Sequence, residues 1–371
     1  MKLFHFICSI LVITTASYAQ PPAQNVFIIT VDGTRWQEIF KGADASLLRD
    51  TNCVKDTGLM LQQYWHNDPE ERRRRLMPFF WTVIAQQGQL LGNRDLDNDV
   101  NVANLYKISY PGYSEIFTGY ADKLFIPNLT VNNPRSNILQ WLNKQPAYNG
   151  KVAAFCSWRV FPFILHEKNG MLPVNAGYEA LDEKDSTSEL INGVQESIYD
   201  QNNTRHDLLT FECAKNYMHQ HHPKVMYMGL GETDEFAHHG EYDTYLQKMH
   251  QADAMIAELW YYVQTDPFYK NNTSFIVTTD HGRGRNTGNW SSHGFWVKGS
   301  GETWLAMLGA GIESTGEGKQ KQQVYQKQVA ATAASLLGLQ FTAHHTIGKP
   351  LIISPAEAKL TKREPVSVAG K

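Results

Sequence analysis

Four short, almost continuously apolar runs limit what this chain can fold into: Val26-Phe27-Ile28-Ile29-Thr30-Val31, Val152-Ala153-Ala154-Phe155, Val225-Met226-Tyr227-Met228 and Phe275-Ile276-Val277-Thr278-Thr279. A strand with one face in water alternates apolar and polar residues, whereas a strand covered on both faces does not. These runs do not alternate, so they read as strands of a parallel sheet with both faces covered. Helical patterns separate them over 136–144, 207–220 and 241–263, and a last helix is expected over 322–337, stopped by Gly338. Strands alternating with helices give an α/β fold: a doubly wound, mostly parallel central sheet flanked by helices.

The residues just past each run are more telling. The first run ends in Asp32-Gly33 and the second in Ser157-Trp158-Arg159. The third leads through Gly229-Leu230-Gly231 to Glu232-Thr233-Asp234, and the fourth ends in Asp280-His281-Gly282. In open α/β sheets, ligands bind just beyond the carboxyl ends of the strands. The runs therefore deliver polar, metal-capable side chains to one edge of one sheet.

Composition sets the outer limits. The chain has 371 residues, 42% hydrophobic and 19% charged, enough to bury a large core. A formal charge of −3 gives no basis for a nucleic-acid surface or a polybasic membrane patch. Residues 1–19 read as an export signal, with Lys2, an apolar run and the small-residue site Ser17-Tyr18-Ala19. That run is well short of the ~20 residues that span a bilayer, and no later stretch is long enough. The mature protein is thus expected without a membrane span, exported to a periplasm or secreted. Residues 20–355 are expected to form a single catalytic domain, and 356–371 a polar, loosely ordered tail. Cys8 leaves with the signal; Cys53, Cys156 and Cys213 allow at most one internal disulfide, so disulfides do not frame the fold. The arginines at 72–75 follow Asp68-Pro69-Glu70-Glu71 and read as the solvated face of a capped helix.

Asp234 and His238 stand four residues apart, so a helical turn would put both on one face, able to clamp one ion. Asp280 and His281 are adjacent at a strand end, and His293 comes later in the Gly- and Ser-rich Ser291-Ser292-His293-Gly294. Imidazoles mixed with carboxylates suit zinc, and a catalytic zinc site needs no thiolate.

In order and type these motifs resemble the alkaline phosphatase superfamily, above all its nucleotide pyrophosphatase/phosphodiesterase-like and single-domain phosphatase branches. The likeness spans residues 25–351. It implies two zinc ions, one held by Asp32, Ser109, Asp280 and His281 and the other by Asp234, His238 and His293. It also implies a Thr or Ser nucleophile ten residues before the glycine of a Thr-Gly pair. In the segment from Ser109 to Thr118-Gly119 that residue is Ser109. Ser114 is its rival, because Tyr113-Ser114-Glu115 is faintly similar to the Asn-Ser-Glu of cofactor-independent phosphoglycerate mutases. The Thr-Gly spacing and the lack of a mutase-length insertion favour Ser109.

The resemblance implies an exported two-zinc hydrolase of small-molecule phosphate esters that works through a phosphoserine intermediate. Diesterases of the pyrophosphatase branch usually carry Asn where this chain has Gly112, at a place that contacts the substrate. Monoester-preferring relatives often carry Lys-x-Arg near Ser157-Trp158-Arg159, where only the Arg is present. Gly112, Trp158 and Arg159 are thus the expected substrate-binding residues, with Arg159 as a bidentate phosphate clamp. Monoester and diester both stay open. Sulfuric or phosphonic esters are an alternative, although sulfatases need a modifiable Cys or Ser followed by Pro-x-Arg, and Ser109 is followed by Tyr110-Pro111-Gly112. Other classes are an inactive ligand-binding relative, or a glycan- or lipid-binding module using Trp158, Trp290, Trp296 and Trp304. The complete ligand set argues against the first, and a binding module would not need a metal set.

Overall fold

A computed structural model describes residues 23–124, 126–167, 172–201 and 204–353. The expected export signal (1–19) and tail (356–371) lie outside the described residues. In chain order the strands are β1 (Asn25–Val31), β2 (Gly88–Leu91), β3 (Asn98–Asn101), β4 (Val152–Cys156), β5 (Val174–Ala176), β6 (Val225–Leu230), β7 (Thr273–Thr278), β8 (Glu302–Thr303), β9 (Leu305–Gly309), β10 (Gly316–Glu317) and β11 (Gln322–Tyr325). The main sheet runs β10-β2-β9-β7-β1-β6-β4-β5, and a small one runs β11-β3-β8. The four apolar runs are β1, β4, β6 and β7, and each pairs in parallel with its neighbour among them. This is the expected mostly parallel α/β sheet.

The lack of alternation has a direct cause. Along β1, Phe27, Ile29 and Val31 pack into one hydrophobic cluster, while Val26 and Ile28 pack into another on the opposite face. Long helices cover the first face, Asp207–His221 and Tyr242–Thr265; shorter ones cover the second, Ser109–Thr118, Ile138–Asn143 and Val329–Leu336. The register is what builds the site. Val31 pairs with Leu230 and Thr30 with Thr278, so the carboxyl ends of β7, β1 and β6 stop at one level in the middle of the sheet.

Two parts of the sequence reading differ. The antiparallel edge, β9 on β7 and β2 on β9, is additional to the four runs. The segment 322–337 is not one helix: Gln322–Tyr325 pairs with Asn98–Asn101, and the α-helix begins only at Val329. Val324 is buried while Gln322 and Gln323 are exposed, so this edge strand hides little apolar surface and leaves a weak periodic signal. Cys53, Cys156 and Cys213 are all free thiols. Among the described residues, no helix is long and apolar enough to cross a membrane.

The arginine run does form a helix, Pro69–Leu76, capped by Asp68. It is not wholly a solvated face, since Arg73 lies over Trp81 and Arg72 over Trp65 at 3.5 and 4.4 Å.

Candidate metal centre

Asp32 follows β1 and is buried. Tyr113 Oη donates to its Oδ2 at 2.8 Å, and its Oδ1 has no partner. Asp280, two residues past β7, accepts the Gly33 amide on Oδ1 at 3.1 Å, and its Oδ2 likewise has none. His281 Nδ1 is 3.0 Å from the Gly282 carbonyl; a proton there leaves the lone pair on Nε2. That Nε2 lies 3.6 Å from Asp32 Oδ1, 3.4 Å from Asp280 Oδ2 and 3.3 Å from Ser109 Oγ.

Two orphaned carboxylate oxygens, an imidazole lone pair and a hydroxyl thus face one small buried space. Burying acceptors without donors is costly, and a cation removes the cost. The electrostatics agree. Burial, together with the charges of Asp280 and Asp234, holds the Asp32 carboxyl well above its usual range. Burial and Asp234 push Asp280 up to about 7, and burial holds His281 well below an ordinary histidine. Crowded carboxylates beside a neutral imidazole suit a divalent ion, and this set of O and N ligands fits zinc.

The second cluster sits beside the first. Asp234 and His238 share the short helix Glu232–His238 after β6, and the i,i+4 spacing brings His238 Nε2 to 3.1 Å from Asp234 Oδ2. His293 Nε2 is 3.0 Å from His238 Nε2, and its ring stacks on His281 with centroids 3.9 Å apart. Its Nδ1 lies 3.3 Å from the Lys107 carbonyl, so its Nε2 is the nitrogen turned toward the cluster. Burial pushes His293 down to about 4. Burial also opposes the charge on Asp234, but the Arg283 guanidinium and the His238 hydrogen bond outweigh it and hold the carboxyl well below its usual range. Ligand atoms of Asp32, Asp280 and His281, and those of Asp234, His281 and His293, each lie within 4.8 Å of one another.

Ser109 opens the helix Ser109–Thr118 and is buried against His281. The helix ends at Gly119 in the left-handed region (φ 69°), which explains the Thr-Gly pair as a helix stop. Ser114 is turned elsewhere: its Oγ accepts from Asn133 Nδ2 at 2.9 Å. Gly112 packs against the Asp280 main chain, where a Cβ would clash with the carbonyl oxygen. Its lack of a side chain lets the helix approach the strand end. Trp158 is half-buried beside Phe161, and Arg159 is exposed on the turn after β4. Trp290 and Trp304 belong to the core, while Trp296 is 91% exposed. Sequence reading missed Tyr113, Lys107 and Arg283, which hold ligands through contacts far apart in the chain.

A family model described as the Metalloenzyme superfamily matches residues 173–295, the stretch that carries Asp234, His238, Asp280, His281 and His293. No curated protein matches the sequence. Wild-type alkaline phosphatase PafA superposes with a TM-score of 0.59 at 11% identity, covering 91% of this chain and 100% of that one. The fold is alkaline phosphatase-like. Two other solved structures extend the likeness. The lipoteichoic acid synthase LtaP from Listeria monocytogenes has a TM-score of 0.53 at 11% identity, over 86% of this chain and 73% of its own. A 2-O GAG sulfatase also has a TM-score of 0.53 at 11% identity, over 89% and 73%. The alkaline phosphatase-like fold thus bears out the resemblance carried by the motifs.

Proposed function

We propose that this chain is an exported, zinc-dependent hydrolase of phosphate esters with Ser109 as its nucleophile. One observation carries the reading: Asp32 Oδ1 and Asp280 Oδ2, buried and unpartnered, share a space with His281 Nε2 and Ser109 Oγ. Asp32, Ser109, Asp280 and His281 would hold one zinc, and Asp234, His238 and His293 the other. Bound zinc supplies Lewis acidity, favouring the serine alkoxide and neutralising charge on the phosphoryl and leaving oxygens.

The chain's own groups do the positioning. Ser109 stands at the first turn of a ten-residue helix, whose positive end favours a developing oxyanion at Oγ. Tyr113 and the Gly33 amide each hold one oxygen of a carboxylate so that the other faces inward. Ser109 Oγ attacks phosphorus, the bond to the leaving oxygen breaks, and water then cleaves the phosphoserine. Arg159, exposed on the turn after β4, would supply a fork for the remaining phosphoryl oxygens. Type I sulfatase chemistry fits less well, because no Pro-x-Arg follows Ser109.

The test compares hydrolysis of an aryl phosphate monoester, an aryl phosphate diester and an aryl sulfate by the full chain, metal-depleted and zinc-reloaded. Zinc should restore phosphate-ester turnover and leave the sulfate slow. Full turnover without metal, or preference for the sulfate, would overturn the proposal.

A further inference from the structure

Arg283 is fully buried two residues beyond His281, in a cluster meant to attract cations. A buried guanidinium needs its donors satisfied, and its partners here are specific. Nε donates to the Gly33 carbonyl at 2.9 Å, next to Asp32 in the chain. Nη1 donates to the Ser291 carbonyl, two residues before His293. Nη2 donates to Asp234 twice, to the main-chain carbonyl at 3.2 Å and to Oδ1. One side chain thus ties together the segments that carry Asp32, Asp234, His281 and His293. Its grip falls on Oδ1, the oxygen 3.9 Å from His293 Nε2 and 3.8 Å from His281 Nε2, while Oδ2 faces His238. The surroundings are shaped to it. Gly33 has φ +59°, and a Cβ there would lie 2.5 Å from Asp234 Oδ1 and 3.0 Å from Arg283 Nη2. Gly284 donates to the Ser292 carbonyl at 2.9 Å and accepts from Arg35 Nη1 at 3.2 Å, so the arginine's own loop is pinned.

We propose that Arg283 is the positioning residue of the Asp234–His238–His293 metal site: it fixes the orientation of the Asp234 carboxylate and locks the His293 loop against it. The inference rests on the two-zinc reading above. Its charge repels the ion while its hydrogen bonds shape the site, so charge and geometry pull in opposite directions and substitutions can separate them. Met removes both. Lys keeps the charge but cannot hold acceptors on three segments with a fixed fork.

The experiment is zinc titration of the full chain against a chromophoric chelator, with metal content per chain measured directly. Thermal unfolding in excess chelator serves as the fold control. The unaltered protein should hold two zinc ions. Arg283→Met should keep one tight ion and bind the second about 10- to 100-fold more weakly, the range for lost outer partners of metal ligands. Arg283→Lys should also weaken the second ion, by about tenfold. Unchanged second-site affinity in both variants overturns the proposal, as does tighter binding by Arg283→Met, which would make the arginine's role one of charge. Equal loss of both ions, or failure of both variants to fold, would assign Arg283 to the scaffold and overturn it too. Fewer than two ions in the unaltered chain would sink the two-zinc reading, and this inference with it.

Discussion

The Asp32–Asp280–His281 half of the cluster is the more deeply buried, whereas the Asp234–His238–His293 half opens to solvent through His238. Side chains of the first are 0–6% exposed; in the second His293 is 7%, Asp234 16% and His238 49% exposed. The inner carboxylates are oriented by a tyrosine and a backbone amide, each fixed by the core. The outer ligands come from a short helix and a loop, clasped by one arginine. The inner half is therefore preformed by the sheet, and the outer half depends on how loops are held. Ions in the two halves should differ in how readily they leave.

The largest expected effect breaks or upholds that contrast. Chelation should abolish activity in two kinetic phases, with loss of turnover in the first, and zinc should restore it. A single phase releasing both ions together would erase the distinction between the halves. Next comes the proposed nucleophile, beside the inner half. Ser109→Ala should lower kcat roughly 10⁴-fold or more, as for nucleophiles of hydrolytic triads, while the chain still binds zinc through the remaining ligands. Ser114→Ala should change little, because its hydroxyl bonds Asn133. Reversed results would move the nucleophile to Ser114, halfway along the helix.

Arg159 is exposed on the turn after β4. Arg159→Ala should slow monoester hydrolysis about 10²-fold, the scale of one lost transition-state contact, and diesters less. Equal losses on the two esters would remove its role in choosing the substrate.

The smallest effect sharpens the contrast with a carboxylate outside the site. Asp253 is buried like Asp280 and also pushed up to about 7 by burial, yet both its oxygens are taken, by the Phe79 and Phe80 amides at 2.7 and 3.0 Å. Its folded-state pKa exceeds the unfolded value, so between about pH 4 and 7 only the native state keeps this proton, and stability falls as pH rises. Unfolding free energies of the parent and Asp253→Asn, measured from pH 4 to 7, should diverge with that sign, while zinc binding stays unchanged. A pH-independent difference would show that the carboxyl is charged throughout.

Much of this was legible in the sequence for a physical reason. Strands covered on both faces must be apolar throughout, and polar ligands can appear only where those runs stop, so Asp32, Asp234, Asp280 and His281 mark themselves. The i,i+4 pair Asp234 and His238 is legible because a helix turn has a fixed period. Tyr113, Lys107 and Arg283 are not, since each acts across 81, 186 or 49 residues through a hydrogen bond that leaves no spacing behind. The strand at Gln322–Tyr325 was missed because an exposed edge needs little apolar surface.

The bare Cα at position 112 limits where new specificity can arise in this pocket. Because the Asp280 carbonyl would clash with any added Cβ, grafting an amide donor there would push the whole Ser109 helix off the strand end. A change at this position would therefore move Ser109 itself, whereas the exposed side chains of Arg159 and Trp296 can be exchanged without displacing that helix.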